Sequence, residues 1–309
     1  MDKISIITTF YNAENFIAKS VQSILLQKTD GFKIEYILVN DHTPDHSLDI
    51  VKRLCDHNGN TNIEVKIIEP LENLGCGGAR KFGIEHATGD YFMFLDADDY
   101  YINNDFVSRA YECITLHNAD IVEYGIIYND NSGNSTKMCV GKQIIFEDPD
   151  TAVYYIFKDN TIKFNVWSKI YTKEIVNSYP YSDTRTYEDI RTIPIWVHNA
   201  KKIVVEPTVE INYRAASTSI IRENGLQTRL GTITAMTEMC EHFKYSKKIV
   251  KALYGRAMID LSCVLENKTS NNEGFNEMSK LNTKLLSYIF PDKYKEITFN
   301  IEDETETIE

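Results

Sequence analysis

Along the first hundred residues, short apolar runs alternate with segments whose apolar positions recur every three or four residues. Residues 4–8 (ISIIT), 36–39 (YILV), 65–68 (VKII) and 91–95 (YFMFL) read as strands. Between the first two, Phe16, Ile17, Ser20, Val21, Ile24 and Leu25 share one helical face. Leu48, Val51, Leu54 and Cys55 repeat that spacing after Thr43-Pro44-Asp45, a helix start. Ala79, Phe82, Gly83 and His86 mark a third helix, opened by Arg80. Strands alternating with helices predict a parallel sheet covered on both faces, with ligands bound beyond the carboxyl ends of its strands. Four strand ends are therefore expected to face one site.

Past residue 101 the pattern loosens. Phe106, Ala110, Cys113, Ile114 and His117 make a helix, followed by an extended stretch over 121–128 and a turn at 129–134. Residues 149–220 mix short helices and strands, including NVWSKIY at 165–171 and VEINYR at 209–214. From about residue 223 the spacing is helical, through Leu226, Leu230, Ile233 and Met236, then Leu253, Ala257, Leu261 and Leu265, then Met278, Leu281 and Leu285. The Met and aromatic residues of these helices read as core. The expected division is a domain over 1–220, with halves 1–101 and 102–220, and a helical region over 221–309 ending in the acidic tail EDETETIE.

Charge narrows the function. With 33 Lys+Arg against 45 Asp+Glu in 309 residues, the net charge is −12, which argues against a nucleic-acid partner. No apolar run is long enough to span a bilayer, and MDKISIITTF enters a strand without a signal-peptide pattern. The six dispersed cysteines read as reduced thiols of a cytoplasmic protein. Lys244, Lys247, Lys248 and Lys251 read as a solvated helix face, with contact at the inner face of the cell membrane as the alternative. His42 and His46 flank Pro44 and read as loop residues rather than metal ligands.

Each strand end carries polar residues. Thr8, Thr9, Tyr11 and Asn12 follow the first and suit a flat, hydrogen-bonding ligand, with a helix cap by Asn12 as the plainer role. Asp41 follows the second, able to accept from a base or ribose or to satisfy loop amides. The third end is NLGCGGARKFGI, where Gly75, Gly77 and Gly78 permit close backbone approach and Arg80 can meet a diphosphate. It is neither a dinucleotide fingerprint nor a P-loop. The fourth is FLDADDYY, with Asp96, Asp98 and Asp99 crowded together. A calcium loop fails, because Tyr100 and Tyr101 stand where an oxygen ligand and glycine belong. A helix cap by Asp98 or Asp99 needs one acid, whereas a divalent ion shared with a nucleotide diphosphate accounts for all three.

In order, TFYN (9–12), VNDHTPD (39–45), NLGCGGARKFG (73–83) and DADD (96–99) resemble the motifs of the family 2 glycosyltransferases of the GT-A fold. That resemblance implies an α/β fold with a Rossmann-like, mainly parallel mixed sheet flanked by helices and a helical C-terminal extension. It implies that Thr9, Tyr11 and Asp41 hold the uracil end of a UDP-sugar, and that Arg80 approaches the diphosphate or ribose. Asp96 would contact ribose and the metal shell, and Asp98 would ligate Mn²⁺ or Mg²⁺. The family's E-D pair appears as Glu188 and Asp189, with Asp189 as catalytic base. Its W-x-K segment appears as Trp167 to Lys169, near the acceptor. Its Y-R-x-x-x-x-S loop appears as Tyr213, Arg214 and Ser219, closing over the diphosphate. Thr9, Asn40 and His42-Thr43 depart from the usual residues but leave Asp41 in place.

The implied chemistry is metal-dependent, inverting transfer of a sugar to a hydroxyl of a glycan or lipid-linked acceptor, in synthesis of a cell-surface polysaccharide or glycoconjugate. A homodimer through the C-terminal helices is compatible with the sequence. Two rivals remain: a sugar-1-phosphate nucleotidyltransferase, disfavoured because TTFYNAEN lacks glycine, and a non-catalytic nucleotide- or partner-binding member of the same fold.

Overall fold

The computed structural model describes residues 1–130, 133–214, 225–266 and 287. The alternating half of the chain folds as its periodicity predicts. Strands β1 (Asp2–Phe10), β2 (Phe32–Asn40), β3 (Ile63–Ile68) and β4 (Tyr91–Phe94) are separated by helices α1 (Ile17–Leu25), α2 (Ser47–Asp56) and α3 (Gly75–Glu85). They pair in parallel in the order β3-β2-β1-β4. Residues 34–40 of β2 are buried without interruption, as a strand covered on both faces requires. One of them, Glu35, is 0 % exposed, and takes hydrogen bonds from Ser5, Lys66 and Thr88. Their donors hold it charged, down to about 2, against the opposing effect of burial.

The second half adds β5 (Tyr100–Tyr101), α4 (Phe106–His117), β6 (Ile121–Asn129), β7 (Ser135–Met138), β8 (Ile144–Phe146), α5 (Pro149–Asp159), β9 (Lys169–Thr172), α6 (Lys173–Ser178), α7 (Glu188–Asn199) and β10 (Ile203–Arg214). The sheet continues from β4 as β9-β6-β10-β5, with β7 on β6 and β8 on β10. Here β6 and β10 run parallel, while β9 lies antiparallel to both β4 and β6. Strand β9 thus joins the two halves into one sheet. Strand β7 pairs antiparallel with β6, as the turn expected at 129–134 implies.

Helices α8 (Gly225–His242) and α9 (Lys247–Glu266) follow. Ile233, Met236, Met239, Phe243, Ile249, Val250 and Leu253 are buried, and the pair packs on α5 and α7. Lys244 pairs with Glu241 and Lys248 with Thr151. No helix among the described residues is long and apolar enough to cross a membrane. The 220/221 boundary, the acidic tail and the helix expected over 278–285 lie outside the described residues.

Three local expectations are corrected. Asn12 does not cap a helix: its φ is 53°, its N–H donates to Thr43 Oγ1, and α1 opens at Ile17. Helix α3 starts at Gly75, so Arg80 lies inside it rather than at its mouth. Asp98 and Asp99 cap nothing, because α4 begins at Phe106 after Asp105.

Candidate active site

The parallel strands bring their carboxyl ends to one edge, and the fourth supplies the densest charge. Asp96, Asp98 and Asp99 lie in the turn between β4 and β5, with one oxygen of each within 4.8 Å of the others. Asp99 is 1 % exposed. Its Oδ1 accepts from the Arg214 backbone N–H at 2.9 Å, and its buried Oδ2 has no partner among the described residues. Burial, then the charges of Asp98 and Asp96, raise Asp99 well above the ordinary carboxylate range. Burial and Asp96 push Asp98 up to about 6. An orphaned, buried carboxylate oxygen beside two more carboxylates is costly unless a cation meets it. This all-oxygen set fits a hard divalent ion such as Mg²⁺ or Mn²⁺.

Arg80 links these acids to a second group. Its guanidinium is buried, donating to Asp96 Oδ1 at 2.6 Å, to Glu188 Oε1, and to the Tyr181 hydroxyl at 3.3 Å. Asp189 Oδ1 lies 3.8 Å from the same nitrogen that binds Glu188. From the second turn of α3, Arg80 thus faces three carboxylates, those of Asp96, Glu188 and Asp189.

Glu188 and Asp189 open α7, entered through Tyr187 at φ 60°. Asp189 Oδ1 accepts from Tyr181 at 2.5 Å and Oδ2 from the Val166 N–H at 3.3 Å. Its side chain keeps 21 % exposure. Burial raises it to about 7, with Arg80 opposing and Glu188 assisting. A carboxylate poised there exchanges a proton readily at neutral pH.

The glycine loop serves this arrangement. A Cβ on Gly77 would stand 2.3 Å from the Thr184 carbonyl, and one on Gly75 (φ +73°) would meet Arg185. Gly75 and Gly77 therefore admit the 182–188 segment that leads to Glu188, while Gly78 leaves room for Leu74. Both oxygens of Asp41 accept α3 amides, from Leu74 at 2.7 Å and Gly75 at 2.9 Å. Asp41 takes the loop-amide role in the structure, and burial raises its pKa above the usual value. Arg185 holds the same loop through Asn73.

The remaining expected residues divide clearly. Thr9 is half-buried at the end of β1, and Tyr11 is 53 % exposed beside it. Trp167 stacks on Tyr213 with centroids 5.1 Å apart and planes at 5°, and Tyr213 stacks in turn on Tyr128. Lys169 is 1 % exposed and cannot touch an acceptor. Its ammonium donates to the carbonyls of Lys163 and Asn165 and pairs with Glu123 at 3.3 Å. It braces the turn that delivers Val166 N–H and Trp167. The Arg214 guanidinium lies over the Phe16 ring, 4.7 Å from its centroid. Ser219 lies outside the described residues. Sequence reading missed Tyr181, Glu123 and Lys163, whose pairings no local pattern marks.

The chain matches the family described as Glycosyl transferase family 2 over residues 5–182. It is 37 % identical over 122 residues to Glycosyltransferase GlyA of Streptococcus pneumoniae serotype 4, covering 39 % of this chain and 16 % of GlyA. It is 27 % identical over 227 residues to Glycosyltransferase GlyG of the same organism, covering 71 % of this chain and 73 % of GlyG. TarS of Staphylococcus aureus, a poly(ribitol-phosphate) β-N-acetylglucosaminyltransferase, is 27 % identical over 175 residues, 53 % of this chain and 30 % of TarS. The crystal structure of TarS residues 1–349 with UDP-GlcNAc superposes with TM-score 0.71 at 17 % identity, over 93 % of this chain and 81 % of that one. The likeness confirms the fold.

Proposed function

The chain belongs to glycosyl transferase family 2, and from that membership we propose that it moves a sugar from a UDP-sugar to a hydroxyl of a glycan or lipid-linked acceptor, with inversion at the anomeric carbon. The single observation that carries this reading is the Arg80 bridge, which holds Asp96 of the acid cluster and the Glu188–Asp189 pair on one guanidinium. A cation-binding set and a neutral-range base are thereby fixed relative to each other. The uridine choice and a role in cell-surface polymer synthesis rest on TarS and its bound UDP-GlcNAc. The transferase core is assigned to residues 1–220, and helices α8 and α9 support its α5–α7 side.

Asp98 and Asp99, with Asp96 beside them, would hold Mn²⁺ or Mg²⁺. When bound, the ion neutralises charge on the diphosphate leaving group. Asp189 takes the proton of the acceptor hydroxyl, using whichever oxygen edge Tyr181 and the Val166 N–H leave free. The acceptor oxygen bonds to the anomeric carbon as that carbon's bond to the diphosphate oxygen breaks, from the opposite side. Tyr181, Val166 N–H and Arg80 hold the carboxylate in place while it waits charged. Thr9, Tyr11 and the Asp41 loop frame the uracil end, and Arg214 stands beside the diphosphate end.

A panel of nucleotide sugars, with and without Mn²⁺, tests the donor assignment by hydrolysis and thermal stabilisation. A true donor raises the melting point only with metal. No shift with any UDP-sugar overturns the assignment.

A further inference from the structure

A second group of potential ligands lies away from the acids, and nothing in the proposed chemistry uses it. Cys113 and His117 sit four apart in the last turns of α4, on one face. Glu206 comes from β10, where pairing with β6 shifts register between Val205 and Val209, an irregularity of the kind that re-aims a side chain. One ligand atom from each of the three lies within 4.8 Å of the others.

Donor hydrogens converge where a cation would serve. The Cys113 thiol donates to Glu206 Oε1 at 3.3 Å. The Gln143 amide nitrogen donates to the same oxygen at 2.6 Å and lies 3.2 Å from His117 Nε2. Beside them Tyr124, 2 % exposed, turns its hydroxyl to the Cys113 thiol.

We propose that Cys113, His117 and Glu206 form a metal site for a borderline divalent cation of the Zn²⁺ type, with a water or the Gln143 amide oxygen as fourth ligand. Sulfur, nitrogen and oxygen donors together select Zn²⁺ over Mg²⁺ or Ca²⁺. Uptake releases the thiol proton, since the thiolate is the ligand. The site ties the end of α4 to the β10 irregularity. It lies eight residues along that strand from Arg214, roughly 25 Å. Its role is to brace the strand that carries Tyr213 and Arg214, and it stands independently of the donor and acceptor assignments.

Cobalt titration of the full chain tests this, because a cobalt–thiolate bond gives a near-ultraviolet charge-transfer band that carboxylate ligands do not. One equivalent of Co²⁺ is expected to raise the band in the parent and in Asp98→Ala, with Zn²⁺ displacing it. Cys113→Ser should lose the band, and His117→Ala should weaken binding at least about tenfold. Glu206→Gln, close to isosteric, should keep the band at reduced affinity and serves if Cys113→Ser fails to fold. No band in the parent at excess Co²⁺, or a band retained in Cys113→Ser, overturns the site.

Discussion

Two charge clusters border this sheet and are built on opposite rules. In the first, Glu123 is 0 % exposed, and its oxygens accept from Lys163 N–H at 3.0 and 3.1 Å and from Lys163 Nζ at 2.9 Å. Lys169 completes it from the other side. In the second, Asp96, Asp98 and Asp99 crowd together with one guanidinium, one backbone N–H and an oxygen left bare. The first cluster is satisfied by the chain itself, so its role is to hold the 163–169 turn. The second leaves a buried oxygen bare, which supports the cation-binding role proposed for it. Buried charge alone does not identify a site. Unpaired buried charge of one sign does.

The comparison breaks most visibly at Lys169. Lys169→Met leaves Glu123 short of a partner and should cost about 3–5 kcal/mol of stability, read by urea unfolding. A loss below about 1 kcal/mol would mean that Lys163 alone satisfies Glu123. The acid cluster should answer with the opposite sign. Asp99→Asn removes a like charge and supplies an N–H, so metal-free stability should rise by on the order of 1 kcal/mol. The same variant should lose most of the melting-point gain from Mn²⁺ with a donor. A drop in metal-free stability with the Mn²⁺ gain retained would make Asp99 an ordinary structural acid.

The helix starts and the long pairings separate what the chain displays locally from what it hides. FLDADDYY exposes its acids because the pattern is contiguous, and β1 to β4 follow from short apolar runs between amphipathic helices. The start of α3 was not legible, since its first amides are held by Asp41, 33 residues upstream. Arg80 reaches Glu188 across 108 positions, and Tyr181 has no local mark of its bond to Asp189. Strand β9 shows in the sequence only within the longer segment 165–171, because its place between β4 and β6 is set by tertiary pairing rather than periodicity. Cys113 and Glu206, 93 positions apart, meet only through the sheet.

Titration sharpens the contrast further. Asp189 is raised to about 7 in the folded protein from an ordinary 3.8, so transfer should rise with pH and level off above 7. Stability moves the other way: its contribution is full below about 4 and is lost as pH rises through 7. Asp189→Asn should therefore gain melting temperature over the parent at pH 8 and lose that advantage at pH 4. An advantage independent of pH would remove burial of charge as the cause. The smallest effect belongs to the ring stack, where Tyr213→Leu should cost roughly 0.5–1.5 kcal/mol in unfolding beyond its area. A larger loss would show that the stack also positions Arg214.

The central claim is that the acid cluster binds and Asp189 reacts, two functions joined through Arg80 but separable. Calorimetric titration of UDP into parent and Asp189→Asn, each with and without Mn²⁺, beside a transfer assay, tests it most directly. The account predicts Mn²⁺-dependent UDP binding of similar strength in both proteins, with transfer lowered about 10²–10⁴-fold in the variant. Equal loss of binding and transfer in Asp189→Asn would contradict it.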